Sequence, residues 1–191
     1  MFNNAGVALG ATVEDMSYED FEWLMGINFW GVVHGTKAFL PHLKAAGDGH
    51  IVNVSSVFGL IGVPTQSAYN ASKFAVRGFT EALRQELEME GGRVSCTSVH
   101  PGGIKTNIAR NARMGAGVEK ITGDVDKARR DFEKMFRTTP EEASQTILKG
   151  VKGNKRRVLI GSDARAIDSM QRLMPTAYQR IMVAGQKMMR K

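Results

Sequence analysis

A single cysteine, Cys96, occurs in 191 residues. One thiol cannot close an intramolecular disulfide, so no disulfide framework holds this chain. Its place in an apolar, alternating run predicts a buried and inert side chain. A single thiol also fits a reducing compartment, and the cytoplasm is the expected location. No apolar run approaches the ~20 residues that a membrane-spanning helix needs. Internal repeats and low-complexity linkers are lacking, which leaves one domain of 191 residues, enough to enclose a core. No cluster of ligand residues at metal-binding spacing occurs, and no metal is expected. Acidic residues are short relative to basic ones in the second part of the chain. Residues 1–109 hold 7 Lys and Arg against 10 Asp and Glu, whereas residues 110–191 hold 19 against 9. The basic residues are interspersed with acids and apolar positions, without an aromatic stacking platform. They read as a solvated basic face, and nucleic acid is not an expected partner.

What is present is an alternation of strand and helix signals, the pattern of an α/β fold with a parallel sheet and right-handed crossovers. Met1 to Gly6 reads as a strand end and a turn, and residues 7–16 as a loop. Ser17 and Asp20 resemble a capping box that opens a long helix over 17–45. Gly26, Gly31 and Gly35 interrupt that helix and predict close approach of another backbone. Asn28 sits within it, either as an amide satisfied in the core or as a functional group. Ile51 to Val54 is a β-branched run of strand length. A second periodic helix spans about 67–89 and stops at Gly91-Gly92. Arg93 to Val99 is the next strand, and His100-Pro101-Gly102-Gly103 forces a sharp exit at its carboxyl end, where open α/β sheets bind ligands. Residues 107–137 are charged with weak helical periodicity, as in a mobile lid. Thr139-Pro140-Glu141-Glu142 opens another helix, and Val158 to Ile160 is a short buried strand. The segment 163–191 is basic and amphipathic, with Pro175 as a break.

Chemistry concentrates between Ser56 and Lys73. Ser56 lies where a buried strand ends. Tyr69 and Lys73 are four residues apart and so share a helix face. A tyrosine hydroxyl is a poor acid or base near neutral pH, and an ammonium one turn away is expected to favour the phenolate and lower its pKa. A serine hydroxyl from the strand end would then orient the oxygen that exchanges a proton with Tyr69. The apolar loop 60–64 and the residues after Ser56 predict an apolar wall of Val57, Phe58, Ile61 and Val63 along with the 104–137 excursion.

These motifs in combination resemble the short-chain dehydrogenase/reductase family over about Phe2 to Ile160. Asn3-Asn4-Ala5-Gly6 is similar to the turn that stabilises the family's central sheet and lines its cofactor cleft. Asn28, Ser56, Tyr69 and Lys73 match its catalytic tetrad, with Ser56 13 residues before Tyr69; that interval favours Ser56 over Ser55. Pro101-Gly102 with Ile104 and Thr106 matches the segment that contacts the nicotinamide. The resemblance implies a Rossmann-like fold and a cofactor, NAD or NADP, held by Asn4, Ala5, Gly6, Tyr69, Lys73, Pro101, Gly102, Ile104 and Thr106. It implies hydride exchange between a carbonyl and a secondary alcohol. Tyr69 is then general acid/base, Lys73 lowers its pKa and holds the ribose, Ser56 orients substrate, and Asn28 joins a proton relay. The substrate is expected to be a small apolar molecule against Ser56, Val57, Phe58 and Val63. A homo-oligomer through helices 17–45 and 67–90 is expected.

One departure bears on all of this. The family's glycine-rich strand–turn–helix fingerprint for the pyrophosphate is not found among these residues. The expectation is therefore a sheet holding only the family's strands 4-5-6-7, an exposed sheet edge at residues 1–4, and weak dinucleotide binding, as in an N-terminally truncated enzyme. The alternative is a non-enzymatic Rossmann-like binding or scaffolding protein.

Overall fold

A computed structural model describes residues 1–189. The chain runs through β1 (Phe2–Asn3), β2 (Leu9–Gly10), α1 (Tyr18–Met25), a π turn (Gly26–Trp30), α2 (Gly31–Ala45), β3 (Gly49–Val54), a 3-10 turn (Val57–Gly59), α3 (Ser67–Met89) and β4 (Val94–Pro101). It continues through β5 (Arg113–Met114), α4 (Val118–Thr122), α5 (Val125–Lys134), α6 (Pro140–Lys152), β6 (Arg157–Ile160), α7 (Ser162–Leu173) and α8 (Tyr178–Met189). The main sheet has the order β1-β3-β4-β6. Each pair is parallel, with Asn3 opposite Asn53, Val54 opposite Val99 and Val99 opposite Val158. This is the α/β layout with a parallel sheet expected from the strand–helix alternation, and the Rossmann-like fold that the family resemblance implies. β1 pairs only with β3, so its other edge carries no strand among the described residues. No helix among them is long and apolar enough to cross a membrane.

Two apolar clusters cover the sheet. Ile51 and Cys96 pack with Leu83 and Leu87 of α3, while Val52, Val99, Val158 and Ile160 pack with Ala143 of α6. Cys96 is fully buried, and burial pushes its thiol up to about 11, which keeps it protonated and unreactive at neutral pH. A polar chain stitches the first strands to the helices. Asn3 donates to Thr36 Oγ1 and Asn53 Oδ1, Asn53 donates to Thr80 Oγ1, and Thr80 donates to the Val76 carbonyl. Each buried amide or hydroxyl here has a partner, so the network fixes β1 against β3 without stranding a polar group.

Several local expectations are met for the reasons given. Thr139 and Glu142 form a reciprocal capping box on α6. Gly91 ends α3 with φ +71°, a conformation glycine adopts freely. The chain leaves helix between Leu173 and Tyr178, around Pro175. The expected amphipathic segment 163–191 includes 190–191, which lie outside the described residues.

Other expectations need correction. Residues 7–16 are not all loop: Leu9–Gly10 pairs in parallel with Arg113–Met114, a contact too distant in sequence for local patterning to reveal. The helix over 17–45 is not uniformly α, because one π turn lies at Asn28. Of its three glycines only Gly35 answers to close approach. A Cβ there would collide with the Asn3 side chain, whereas one on Gly26 would meet nothing within 4 Å. At Ser17 the capping box is incomplete. The hydroxyl accepts from Asp20 N at 3.1 Å, but the Asp20 carboxylate takes a bond from that hydroxyl instead of the Ser17 backbone.

Candidate active site

Parallel strands present their carboxyl ends on one side, and that side gathers the candidate residues. Ser55 and Ser56 follow β3. The Ser55 hydroxyl donates to the Lys73 carbonyl at 2.8 Å and is buried, so it is committed to joining strand and helix. Ser56 is extended (φ −169°, ψ 168°) and caps the 3-10 turn, its Oγ accepting from Phe58 N at 3.1 Å. Gly59 completes this turn against α3. A Cβ there would lie 2.7 Å from the Lys73 carbonyl oxygen and would collide with Ser55 Oγ, so the close approach needs glycine.

Tyr69 reaches Ser56 from the first turns of α3. Burial pushes its hydroxyl up to about 12, and the hydrogen bond with Ser56 works in the lowering direction. The sequence reading expected Lys73 to bring this value down, and that is corrected here. Lys73 Nζ lies 5.6 Å from the Tyr69 ring centroid and donates to the Val54 carbonyl at 3.0 Å. Desolvation therefore sets the direction of the shift, and the Tyr69 hydroxyl is protonated at neutral pH. Lys73 is 3% exposed, and burial lowers its pKa from 10.5 to about 8. An ammonium has three donors. Among the described residues Lys73 Nζ has one acceptor, leaving two donors free in a buried setting.

Asn28 is fully buried and paired like a short strand. Its Oδ1 accepts from Val7 N at 2.8 Å, and its Nδ2 donates to the Val7 carbonyl at 2.9 Å and to Ser72 Oγ at 3.3 Å. The π turn that carries it, a geometry frequent at functional sites, joins the turn after β1 to α3. Between them lies Gly6, where a Cβ would stand 3.4 Å from Asn28 Oδ1 and 3.5 Å from Lys73 Nζ. Asn4, Ala5 and Gly6 thus lead from the sheet edge to the buried ammonium.

On the neighbouring strand, Pro101 ends β4. Gly102 N donates to the Ile160 carbonyl at 2.9 Å, and Ile104 bridges to Thr138. Thr106 is exposed, its N–H bonded to the Ile104 carbonyl at 2.8 Å. Of the expected wall, Val57 and Ile61 are buried, whereas Phe58 and Val63 keep accessible surface.

Two contributors, Asp163 and Tyr178, were missed in the sequence, and a third, Phe132, lies in the 104–137 excursion expected to line the wall but was not singled out. Asp163 accepts from Gly103 N at 2.6 Å and fills the space that a side chain on Gly102 would need. Phe132 of α5 packs 6.2 Å from Phe58, which meets the Tyr69 ring edge-on at 5.9 Å. Tyr178 of α8 accepts from Gly62 N at 3.0 Å and ties the C-terminal helix to the loop beside Phe58. None lies near its partner in sequence. The paired Gly102-Gly103, read in the sequence as a sharp exit from the strand, was the available signal for Asp163.

The 107–137 segment is docked in this structure. Lys120 meets Asp15 at 2.9 Å, Arg113 meets Asp20 at 3.0 Å, and the Arg113 guanidinium stacks 3.6 Å over Trp23. The Thr12 hydroxyl and then Lys120 hold Asp15 below the usual carboxylate range. A groove of about 490 Å³ lined by Thr138, Lys149, Ser162 and Arg165 contains none of the candidate catalytic residues.

The model of the family described as short chain dehydrogenase matches residues 1–117. The chain belongs to the short-chain dehydrogenase family. It is 51% identical over 185 residues to a putative oxidoreductase, SadH, of Mycobacterium tuberculosis, covering 97% of this chain and 66% of that one. Among solved structures, a short-chain dehydrogenase/reductase from Burkholderia phymatum in complex with NAD aligns with a TM-score of 0.77 at 27% identity, over 90% of this chain and 64% of that one. Another from Burkholderia cenocepacia, in complex with NADP, aligns with a TM-score of 0.74 at 26% identity, over 95% and 67%. This family member thus spans about two thirds of the length of these relatives. Its family is one of oxidoreductases, and the two Burkholderia structures hold NAD and NADP.

Proposed function

We propose that this chain carries the proton-transfer machinery of an oxidoreductase that interconverts a carbonyl and a secondary alcohol with NAD or NADP. The observation that carries the reading is the buried Lys73 ammonium, with two donors free beside a glycine-lined turn. Such a pair of donors suits the two vicinal hydroxyls of a ribose. The bound nicotinamide would supply or accept the hydride at the carbonyl carbon. Ser56 would donate its hydroxyl proton to the carbonyl oxygen and orient it. Tyr69, kept neutral by burial, would protonate that oxygen as the carbon is reduced, and would take the proton back in oxidation. Asn28 would hold the turn at Val7 in place and line the proton path to Lys73. Asn4, Ala5, Gly6, Pro101, Gly102, Ile104 and Thr106 would border the nicotinamide end. Phe58, Val63 and Phe132 make that setting apolar, which favours a hydrophobic ketone, aldehyde or secondary alcohol.

The residues for the adenosine end of the cofactor are not among these motifs. The 191-residue chain is therefore expected to bind NADH and NADPH with a Kd in the millimolar range, worth about −4 kcal/mol. A fluorescence titration of the nicotinamide reads this directly, and submicromolar binding of either cofactor would overturn the expectation.

Self-association belongs to the same reading. Trp30 of the π turn and Phe74 of α3 are both exposed, on elements that pack together. Trp30→Glu is expected to shift the chain from dimer or higher towards monomer in sedimentation equilibrium. A monomeric wild-type chain at micromolar concentration would remove this part of the proposal.

A further inference from the structure

His100 is a fully buried histidine on β4 with no part in the chemistry described so far. Its Nδ1 lies 3.0 Å from the main-chain carbonyl oxygen of Ser56, and its Nε2 lies 2.9 Å from Ser98 Oγ. A carbonyl oxygen only accepts, so Nδ1 must carry a proton and donate it. In the neutral ring Nε2 is then bare, and the Ser98 hydroxyl must donate to it. Burial holds the ring far below its ordinary pKa, to about 4, so it is neutral at physiological pH, and the two contacts fix which nitrogen bears the proton.

The Ser56 carbonyl receives a second bond, from Gly59 N at 3.0 Å, and the Ser56 hydroxyl oxygen receives one from Phe58 N at 3.1 Å. Ser56 is the junction between β3 and the 3-10 turn, so its peptide orientation decides where its hydroxyl points. The Gly59 and Phe58 bonds are local to the turn and would move with it. The bond from His100 comes from a different strand, 44 residues away, and ties the turn to the sheet.

We propose that His100 is a positioning residue. Its Nδ1–H, set by Ser98, pins the Ser56 carbonyl to the end of β4 and so aims the Ser56 hydroxyl at the oxygen served by Tyr69. The inference rests on the proposed role of Ser56. A general packing role would depend on the volume of the ring, whereas this one depends on a single donor at one place. His100→Asn keeps a side-chain N–H near the position of Nδ1. His100→Leu keeps comparable bulk and lacks the donor.

Amide hydrogen exchange of Phe58 and Gly59, followed by NMR, tests this without relying on turnover. In His100→Leu both amides are expected to exchange about tenfold faster or more, the scale of one lost hydrogen bond, and in His100→Asn to return towards wild type. With cofactor and an apolar ketone supplied, kcat is expected to fall about tenfold to a hundredfold in the leucine variant, with the cofactor KM unchanged and kcat partly restored by asparagine. Unchanged exchange in the leucine variant overturns the proposal. So does faster exchange that asparagine fails to reverse, since lost packing would then be the cause. Should the leucine variant fail to fold, the ¹⁵N spectrum of the wild-type imidazole still decides. A protonated Nδ1 with a bare Nε2 supports the arrangement, and the opposite tautomer overturns it. A wild-type chain that exchanges as expected yet turns over no carbonyl would count against the proposed function and leave the positioning intact.

Discussion

Tyr69→Phe is expected to lower the reduction rate of an apolar ketone, at millimolar NADH or NADPH, by about 10²–10⁴-fold, the usual contribution of one general acid. The substitution removes a single oxygen. The ring remains on α3, and so does its edge-on contact with Phe58. Ser56 and Lys73 keep their backbone anchors, because Ser56 Oγ is bonded to Phe58 N and Lys73 Nζ to the Val54 carbonyl, neither of which involves the phenol. Loss of rate should therefore appear in kcat, with the cofactor KM little changed.

Stability should move the other way at high pH. The folded pKa of Tyr69 is raised to about 12 from an ordinary 10.0. The contribution of such a group is complete below pH 10 and disappears as pH rises through about 12, because the unfolded chain ionises first. The phenylalanine variant has no such group, so its unfolding midpoint should fall less steeply than that of wild type above pH 10. Residual turnover within about tenfold of wild type, in a variant that folds, would remove Tyr69 from the role of proton donor.

How much of this was legible beforehand differs from residue to residue. Tyr69 and Lys73 were visible because one helical turn puts them on a shared face, and the strand before Ser56 announced itself by its β-branched run. Alternation of strands and helices announced a parallel sheet, since parallel strands need crossovers, while the strand order came only from the family resemblance. Ser55 and Ser56 could be separated only by an interval. The structure adds a physical ground, since the Ser55 hydroxyl is already spent on the Lys73 carbonyl.

What escaped was set by contacts between distant segments. Asp163 meets Gly103 across 60 residues, and Tyr178 meets Gly62 across 116. No periodicity encodes such pairings. The π turn at Asn28 escaped for a related reason. Asn28 pairs with both backbone groups of Val7, a demand imposed from outside the helix. The direction of the Tyr69 shift was misjudged because spacing along a helix gives proximity but not burial. At 5.6 Å from the ring, the ammonium does not outweigh the loss of water around the phenol.

The same burial leads to the second large effect. Lys73→Met is expected to stabilise the chain at pH 7 by about 2 kcal/mol while abolishing carbonyl reduction. In the folded chain Lys73 has a pKa of about 8 against an ordinary 10.5. Between these values the unfolded chain binds more protons, so wild-type stability rises with pH across that window. It is fully developed above about 10.5 and lost as pH falls through about 8. At pH 7 the folded state must hold a buried ammonium with one acceptor, a cost of about 3 kcal/mol at 1.36 kcal/mol per pKa unit. Methionine has similar length and no charge. It would remove that cost and leave the Val54 carbonyl without its partner, which offsets about 1 kcal/mol. For a chain of this length the net gain corresponds to a rise in Tm of about 4–8 °C. Urea unfolding at pH 7 and at pH 10 separates the two states. The wild-type chain should gain stability between them, and the variant should gain little. A methionine variant less stable than wild type at pH 7, or one that keeps the wild-type rise, would mean that Lys73 is not held at a cost. The two free donors would then no longer mark a site kept open for a ligand at the expense of the fold.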